Sequence, residues 1–505
     1  MRSLIVIFLL AVLCTLGVSS CDQMLDVPSK RALNAEDMWQ SVNDARAGLS
    51  ACYALTRAAL ANENAYWVYG EMRAGDFSVT YRNDLKALRD NDLNASFPTL
   101  DEWRDWRRFY AAIAQCNLTI ENLPKVPERD FRYSEQDMTL DRAQALYLRA
   151  FLYFYMVRVW GDVPLVTWGD VPVVKESGNL RFQEIPRTDK KTVLYSALQD
   201  AKNAQNGLPW RYNGQYPEQE GQYRGQLIAG HFRTIAATKG AAMDLIAHIY
   251  HWLEDYPRAL QYCDEIFNHQ ANTEYALVGV DRLTALDGSF RGRGSNNIWQ
   301  IDLNFDHNEV STTGQLEDWT LRAPDIPKSQ SEIYVSKDSI LAIYNEPHDQ
   351  RMDAFFTRMN DTYPEFYKIK QVNNVVKNPT LRFYSSVIII FRYEELYLLR
   401  AECYARTNNL TAAINDLNTV RAERSLSRLS ETFGNQEIIL DLILQERRRE
   451  LIGEGWYWFD LVHFGKVAAY TGLSQADVDA GAAYWPVSKS ALGRNSTLEQ
   501  TAFWQ

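Results

Sequence analysis

The chain has 505 residues, with 64 acidic against 53 basic side chains and a net charge of −11. That length supports one large core or two closely joined lobes. The acidic balance argues against a surface that grips nucleic acid, and no DNA or RNA motif is present.

The N-terminus is the most informative local segment. Arg2 is a short basic head, residues 4–18 are mostly apolar, and Val18-Ser19-Ser20 precede Cys21. The pattern predicts a lipoprotein signal peptide over residues 1–20, with Cys21 acylated and becoming the mature N-terminus. Its apolar run is short for a spanning helix, so the expectation for 21–505 is a single body tethered to a membrane surface by lipid. Cys52, Cys116, Cys263 and Cys403 lie in apolar helical patterns without metal-ligand spacing and read as buried small hydrophobes, with one or two disulfides left open.

Helical periodicity dominates the body of the chain. A first helix is predicted over 30–60, with Asn34 as its cap and Met38, Val42, Ala45, Leu49 and Cys52 on one side. A second runs over 100–123 and stops at Pro124. A third over 140–159 ends at Gly161 and Pro164, and its partner occupies 188–207. Two later segments repeat each other: Ala247, Tyr250, Tyr256, Ala259, Cys263 and Ile266 recur 154 residues on as Ala401, Tyr404, Leu410, Ala413, Leu417 and Val420. Small residues let two helices approach, and Glu254-Asp255 or Asn408-Asn409 reverse the chain. This is the pattern of a tetratricopeptide-like helix pair.

The predicted fold is therefore predominantly α. About four helix pairs (34–123, 139–207, 233–268 and 391–424) carry long irregular loop and short-strand insertions at 61–99 and 278–374. Residues 298–301 read as a short strand, 337–344 as a helix, and 381–391 as a strand or buried run. Insertions of such length in a helical scaffold are natural places for a recognition surface.

The order of local motifs resembles the SusD/RagB family of outer-membrane lipoproteins of Bacteroidota over nearly the whole chain. The resemblance rests on Ser20-Cys21-Asp22, Leu25-Asp26-Val27-Pro28, Tyr66-Trp67 with Gly70-Glu71, and Ala114-Gln115-Cys116-Asn117. Arg149-Ala150, Tyr153-Phe154-Tyr155, Gly161-Asp162-Val163-Pro164-Leu165 and Ile185-Pro186-Arg187 continue it. Arg392-Tyr393-Glu394-Glu395, Glu446-Arg447-Arg448-Arg449-Glu450-Leu451, Glu454-Gly455 and Trp458-Phe459-Asp460-Leu461 complete it. His463 departs from the Arg expected there, and Arg73-Ala74-Gly75-Asp76 is longer than the usual run. The resemblance implies a non-catalytic protein that captures oligosaccharides outside the cell and passes them to a SusC-like TonB-dependent transporter. Some relatives handle peptides instead, and a purely structural lid is a further alternative.

A sugar-binding face needs flat rings and polar groups for hydroxyls. The first insertion offers Asp76, Phe77, Tyr81, Asn83 and Phe97; the second offers Phe290, Asn296, Trp319, Tyr363 and Phe366; Trp210, Tyr212 and Tyr216 form a third group. Asp76, Tyr81, Asn83, Phe97 and Trp319 are the ligand-binding candidates, Tyr81 and Trp319 foremost because polar residues flank both. Trp67 reads as scaffold. A surface glycosidase would need two carboxylates about 5 to 9 Å apart, and Glu71 with Asp76 is the nearest local pair. Glu446 to Glu450, with Glu454 and Trp458, read as a structural clamp. No catalytic residue, cofactor or metal is assigned, since His248 and His251, three apart, lack the rest of a metalloprotease motif.

Overall fold

The computed structural model describes residues 38–168, 183–212, 222–223, 226–227, 234–303, 315–375, 378–430 and 434–505, with backbone alone for the strand residues among 222–227 and 373–383. The signal segment, Cys21, Asn34 and Tyr216 lie outside these residues.

Paired helices form the scaffold. Helix α1 (Val42–Ala61) packs on α2 (Arg107–Asn122), and α3 (Glu135–Trp160) on α4 (Lys190–Gly207). Helix α5 (Lys239–Trp252) pairs with α6 (Tyr256–Asn268), and α7 (Tyr393–Arg406) with α8 (Leu410–Ala422). Helix α9 (Gln436–Leu451) packs on α7 and leads to the short α10 (Tyr457–His463). The fold is thus the predominantly helical one expected, with short strands in the insertions.

Local chemistry sets the helix limits. The first helix begins later than its periodicity suggests: Trp39 adopts a left-handed backbone, φ 68°, and Ser41 caps α1 through a capping box with Asp44. Ser134 and Asp137 repeat that box at α3, and Gly161 ends it at φ 71°. Helix α3 is buried from Leu140 to Trp160 with the exception of Arg142, which explains its apolar residues on every side.

The α5–α6 and α7–α8 pairs are structural repeats down to their turns. Asp255 and Asn409 cap the second helices, and their N–H groups reach Tyr250 O at 2.9 Å and Tyr404 O at 2.8 Å. The alanines at the helix crossings, Ala247, Ala259, Ala401 and Ala413, are fully buried. One apolar core runs from Leu49 to Trp504, while α7, α8 and α9 enclose a smaller one around Leu398, Leu417 and Ile443. Cys52, Cys116, Cys263 and Cys403 are buried free thiols.

Short antiparallel ribbons stitch the insertions together. Strand β1 (Phe77–Val79) pairs with β3 (Ile333–Val335), and β2 (Asn297–Ile301) with β4 (Ile388–Arg392).

The charged C-terminal motif is a buried network between elements. Arg392 donates to Glu394 at 3.0 Å, Glu450 at 2.8 Å and Glu454 at 2.9 Å. Glu450 also accepts from Arg424 at 2.7 Å and from Arg351 at 3.0 Å. Burial works against charge on Glu450, but Arg424 and Arg392 hold its carboxyl well below the usual range. The expected clamp exists, although its main partners come from β4, the end of α8 and residue 351, rather than from one face of α9. Arg447 instead bridges Glu395 and Asp460, at 2.8 and 2.9 Å.

Candidate ligand-binding surface

The β1–β3 ribbon has two unlike faces because side chains alternate along a strand. Phe77, Val79, Ile333 and Val335 point into the core, where Phe77 meets Trp67 and Phe366 edge to face at 5.1 and 5.3 Å. Ser78 lies opposite Tyr334, and both are partly exposed. Thr80 N donates to Glu332 O at 2.9 Å, which carries the pairing one step further and brings Tyr81 over Glu332.

Tyr81 is half exposed, and its hydroxyl donates to Glu332 Oε1 at 3.4 Å. The same carboxylate receives Lys328 Nζ at 2.7 Å on Oε1 and Arg82 Nη1 at 2.8 Å on Oε2. Arg82 also bonds Asp84, and Lys328 lies 2.9 Å from Asp318 Oδ2. Along the ribbon, Tyr334 and the partly exposed Tyr363 meet edge to face at 4.8 Å. Asn83, exposed, begins the short helix Asn83–Arg89 beside this group. The result is an outward surface of three tyrosine rings and a tied fence of cations and carboxylates. Charge-assisted bonds hold the fence in place, so the rings are presented on a fixed support.

The structure separates the five candidates. Tyr81 and Asn83 reach this surface. Trp319 does not: it is 2% exposed, edge-on to Trp67 at 5.9 Å, with the Arg82 guanidinium 5.6 Å from its ring. It supports the surface from beneath, and its polar sequence neighbours gave a misleading impression of exposure. Asp76 is buried and held by the Arg448 side chain, with Nε 3.0 Å from Oδ2. Phe97 is partly buried against the core, two residues from Thr99, whose hydroxyl donates to Asp84. Phe290, Asn296, Phe366 and Tyr212 are buried, and Trp210 stacks on His269 at 4.5 Å. Arg82, Lys328, Glu332 and Tyr334 were not singled out from the sequence. The available signal was the alternation Ile333-Tyr334-Val335.

The suggested hydrolytic pair is engaged elsewhere. Glu71 is fully buried and accepts N–H bonds from Gly453 at 2.9 Å and Gly455 at 3.0 Å. Burial nevertheless lifts its carboxyl to about 8. Asp76 is neutralised by Arg448. Both carboxyls are buried and engaged by the protein's own groups, whereas a hydrolytic pair must flank an accessible sugar.

Comparison with known proteins agrees with this architecture. Residues 343–481 match a family model described as the SusD family, and residues 25–220 match one described as starch-binding associating with outer membrane. The crystal structure of a SusD superfamily protein from Bacteroides thetaiotaomicron VPI-5482 is 36% identical, with a TM-score of 0.82 over 93% of this chain and 100% of that one. SusD-like protein P38 of Formosa agariphila is 26% identical over 97% of each chain. A laminarin binding SusD-like protein shares the fold at 21% identity, with a TM-score of 0.68 over 92% of this chain and 99% of its own.

Proposed function

The chain belongs to the SusD/RagB family of outer-membrane carbohydrate-binding proteins, and from that premise we propose that it captures oligosaccharides through the Tyr81 surface and delivers them to a SusC-like TonB-dependent transporter. Binding, without bond cleavage, is its role. The supporting observation for the site is Tyr81 itself, an exposed ring bonded to Glu332 on the ribbon that also carries the Tyr334–Tyr363 pair. Such a ring covers the C–H face of a sugar, while the Asn83 amide and the two Arg82 N–H groups not spent on Asp84 and Glu332 offer donors to its hydroxyls.

Attachment belongs to the same proposal. Among the described residues no helix is long and apolar enough to cross a membrane. Acylation at Cys21 supplies the tether on this reading, with the helical body facing the extracellular side.

The test is equilibrium binding of the soluble body to laminarin and structurally diverse plant, fungal and host glycans, beside a peptide pool, with product analysis on every sample. The laminarin-binding neighbour places β-glucan among the first ligands to try. Saturable glycan binding with no product supports capture. Saturable binding of peptides alone transfers the role to peptide uptake, and released sugar products overturn the non-catalytic reading.

A further inference from the structure

Three histidine and glutamate side chains meet at the junction of α5, α7 and α10. His251 comes from α5, Glu402 from α7, and His463 is the last residue of α10. His251 Nε2 lies 2.8 Å from Glu402 Oε2, and His463 Nε2 lies 3.3 Å from Glu402 Oε1. The two imidazole rings are 3.8 Å apart, and one ligand atom from each of the three residues falls within 4.8 Å of the others. From this geometry we propose that His251, Glu402 and His463 form a binding site for a divalent transition metal of the zinc class.

The donor set fits that chemistry. Two imidazole nitrogens and one carboxylate oxygen, with a fourth position for water, are a recurrent zinc environment with bonds of about 2.0 to 2.2 Å. Hard oxygen-seeking cations such as calcium or magnesium prefer carboxylates and carbonyls.

The second indication is an orphaned atom. The His463 side chain is 7% exposed, yet its Nε2 makes no hydrogen bond despite its closeness to Glu402. A buried polar nitrogen without a partner is costly, and a metal ion at this point satisfies it.

The surroundings complete the site. The Trp252 ring stacks on His463 at 5.4 Å, and Tyr256 stands edge-on to His251 at 5.9 Å. Arg406 lies 3.3 Å from Glu402 Oε1, while Oε2 faces His251 Nε2 at 2.8 Å, on the side where a metal would bridge the two. Bonds from a neighbour commonly orient a ligating carboxylate in this way. The spacing of His248 and His251 within one helix gave no hint of the site, since its other ligands come from two distant segments. One of them, His463, is also the position where the sequence departs from the expected Arg.

A metal here pins the third helix pair to the fourth and to α10. It lies apart from the Tyr81 surface, so it is expected to act on stability and leave glycan affinity unchanged.

The test uses untagged, chelator-stripped full-length protein titrated with zinc, followed by calorimetry, with cobalt absorption as a report of coordination. The expected result is one saturable zinc site, a four-coordinate cobalt spectrum, and a thermal midpoint raised by zinc but not by calcium or magnesium. His463→Gln and His251→Gln abolish zinc binding and the cobalt spectrum, while His248→Gln, in the neighbouring cluster with Asp244 and Glu395, retains both. Circular dichroism confirms that each variant is folded; His463→Gln, at the end of a short helix, serves if His251→Gln is not. Absence of saturable zinc binding overturns the proposal. So does binding that survives in folded His463→Gln, or that is lost in His248→Gln instead.

Discussion

Gly70 packs its backbone directly on the carbonyl of Gly455, leaving no room for a side chain at position 70. Beside this contact, the Gly453 and Gly455 N–H groups converge on the Glu71 carboxylate, and both glycines are left-handed, φ 78° and 79°. Two motifs from opposite ends of the chain therefore form one joint. Gly70→Ala drives a Cβ into that carbonyl, which backbone cannot yield cheaply. The expected loss is on the order of 3 kcal/mol or more, seen as a lowered urea midpoint with an unchanged slope if the fold survives.

The repeated turns make a gentler prediction. Glu254 and Asn408, at equivalent places in the third and fourth pairs, both have φ 62°. Asn tolerates the left-handed region, whereas Glu has no local bond to favour it. Both side chains are exposed. Glu254→Asn is expected to stabilise by about 1 kcal/mol, and Asn408→Glu to destabilise by about the same amount. Thermal unfolding of the two single variants measures both signs. Equal behaviour of the two would mean the turns are not energetic equivalents.

Those turns also show why the scaffold was legible. Ala259 and Ala413 must be small where helices cross, and Asp255 and Asn409 must accept an N–H where a helix starts. Such requirements are local and recur at a fixed offset. The binding surface is different in kind. Phe77 pairs with Val335 across most of the chain, in strands three residues long, too short to display a period. Polar neighbours suggested that Trp319 faces solvent, and Asp76 stood as a polar group for sugar hydroxyls, but Arg448 reaches Asp76 from α9 and Trp67 covers Trp319. The sequence around a residue does not reveal what distant segments place upon it.

Glu317 provides a pH test. Its carboxyl is fully buried, Oε1 accepts from the Ser386 N–H at 3.2 Å and from the Ser386 hydroxyl, and Oε2 has no partner. Burial raises it to about 7, opposed by the Ser386 hydroxyl. The unfolded chain releases this proton near the ordinary carboxylate value of about 4.3. Between there and pH 7 the folded state holds more protons, so stability falls as pH rises and then levels off. The loss is on the order of 3 kcal/mol. Glu317→Gln keeps an acceptor for Ser386 and cannot ionise. Urea unfolding across pH 4.5 to 7.5 is expected to show a flatter profile for the variant. Parallel profiles for the two proteins would assign the slope to other buried acids, such as Glu71 and Asp460, which burial also raises, to about 8 and 6.

Tyr81 and Trp319 lie within one layer of each other yet should fail in opposite ways. Tyr81 is half exposed, and removing its ring leaves the Arg82 and Lys328 bonds to Glu332 in place. Tyr81→Ala is therefore expected to change stability by less than about 0.5 kcal/mol. Losing a stacking face worth about 1 kcal/mol weakens glycan binding roughly fivefold. Trp319 fills the space between Trp67 and the Arg82 guanidinium. Trp319→Ala opens a cavity there and costs about 3 to 5 kcal/mol. Trp319→Phe retains most of the filling, and its affinity should remain close to that of the parent. Calorimetry and thermal unfolding on the same three variants separate the roles. If Tyr81→Ala binds the ligand as tightly as the parent, the ribbon surface is not where the sugar sits. If Trp319→Phe loses affinity at unchanged stability, the indole contacts ligand after all, which would require the Arg82 side chain to swing away from its ring.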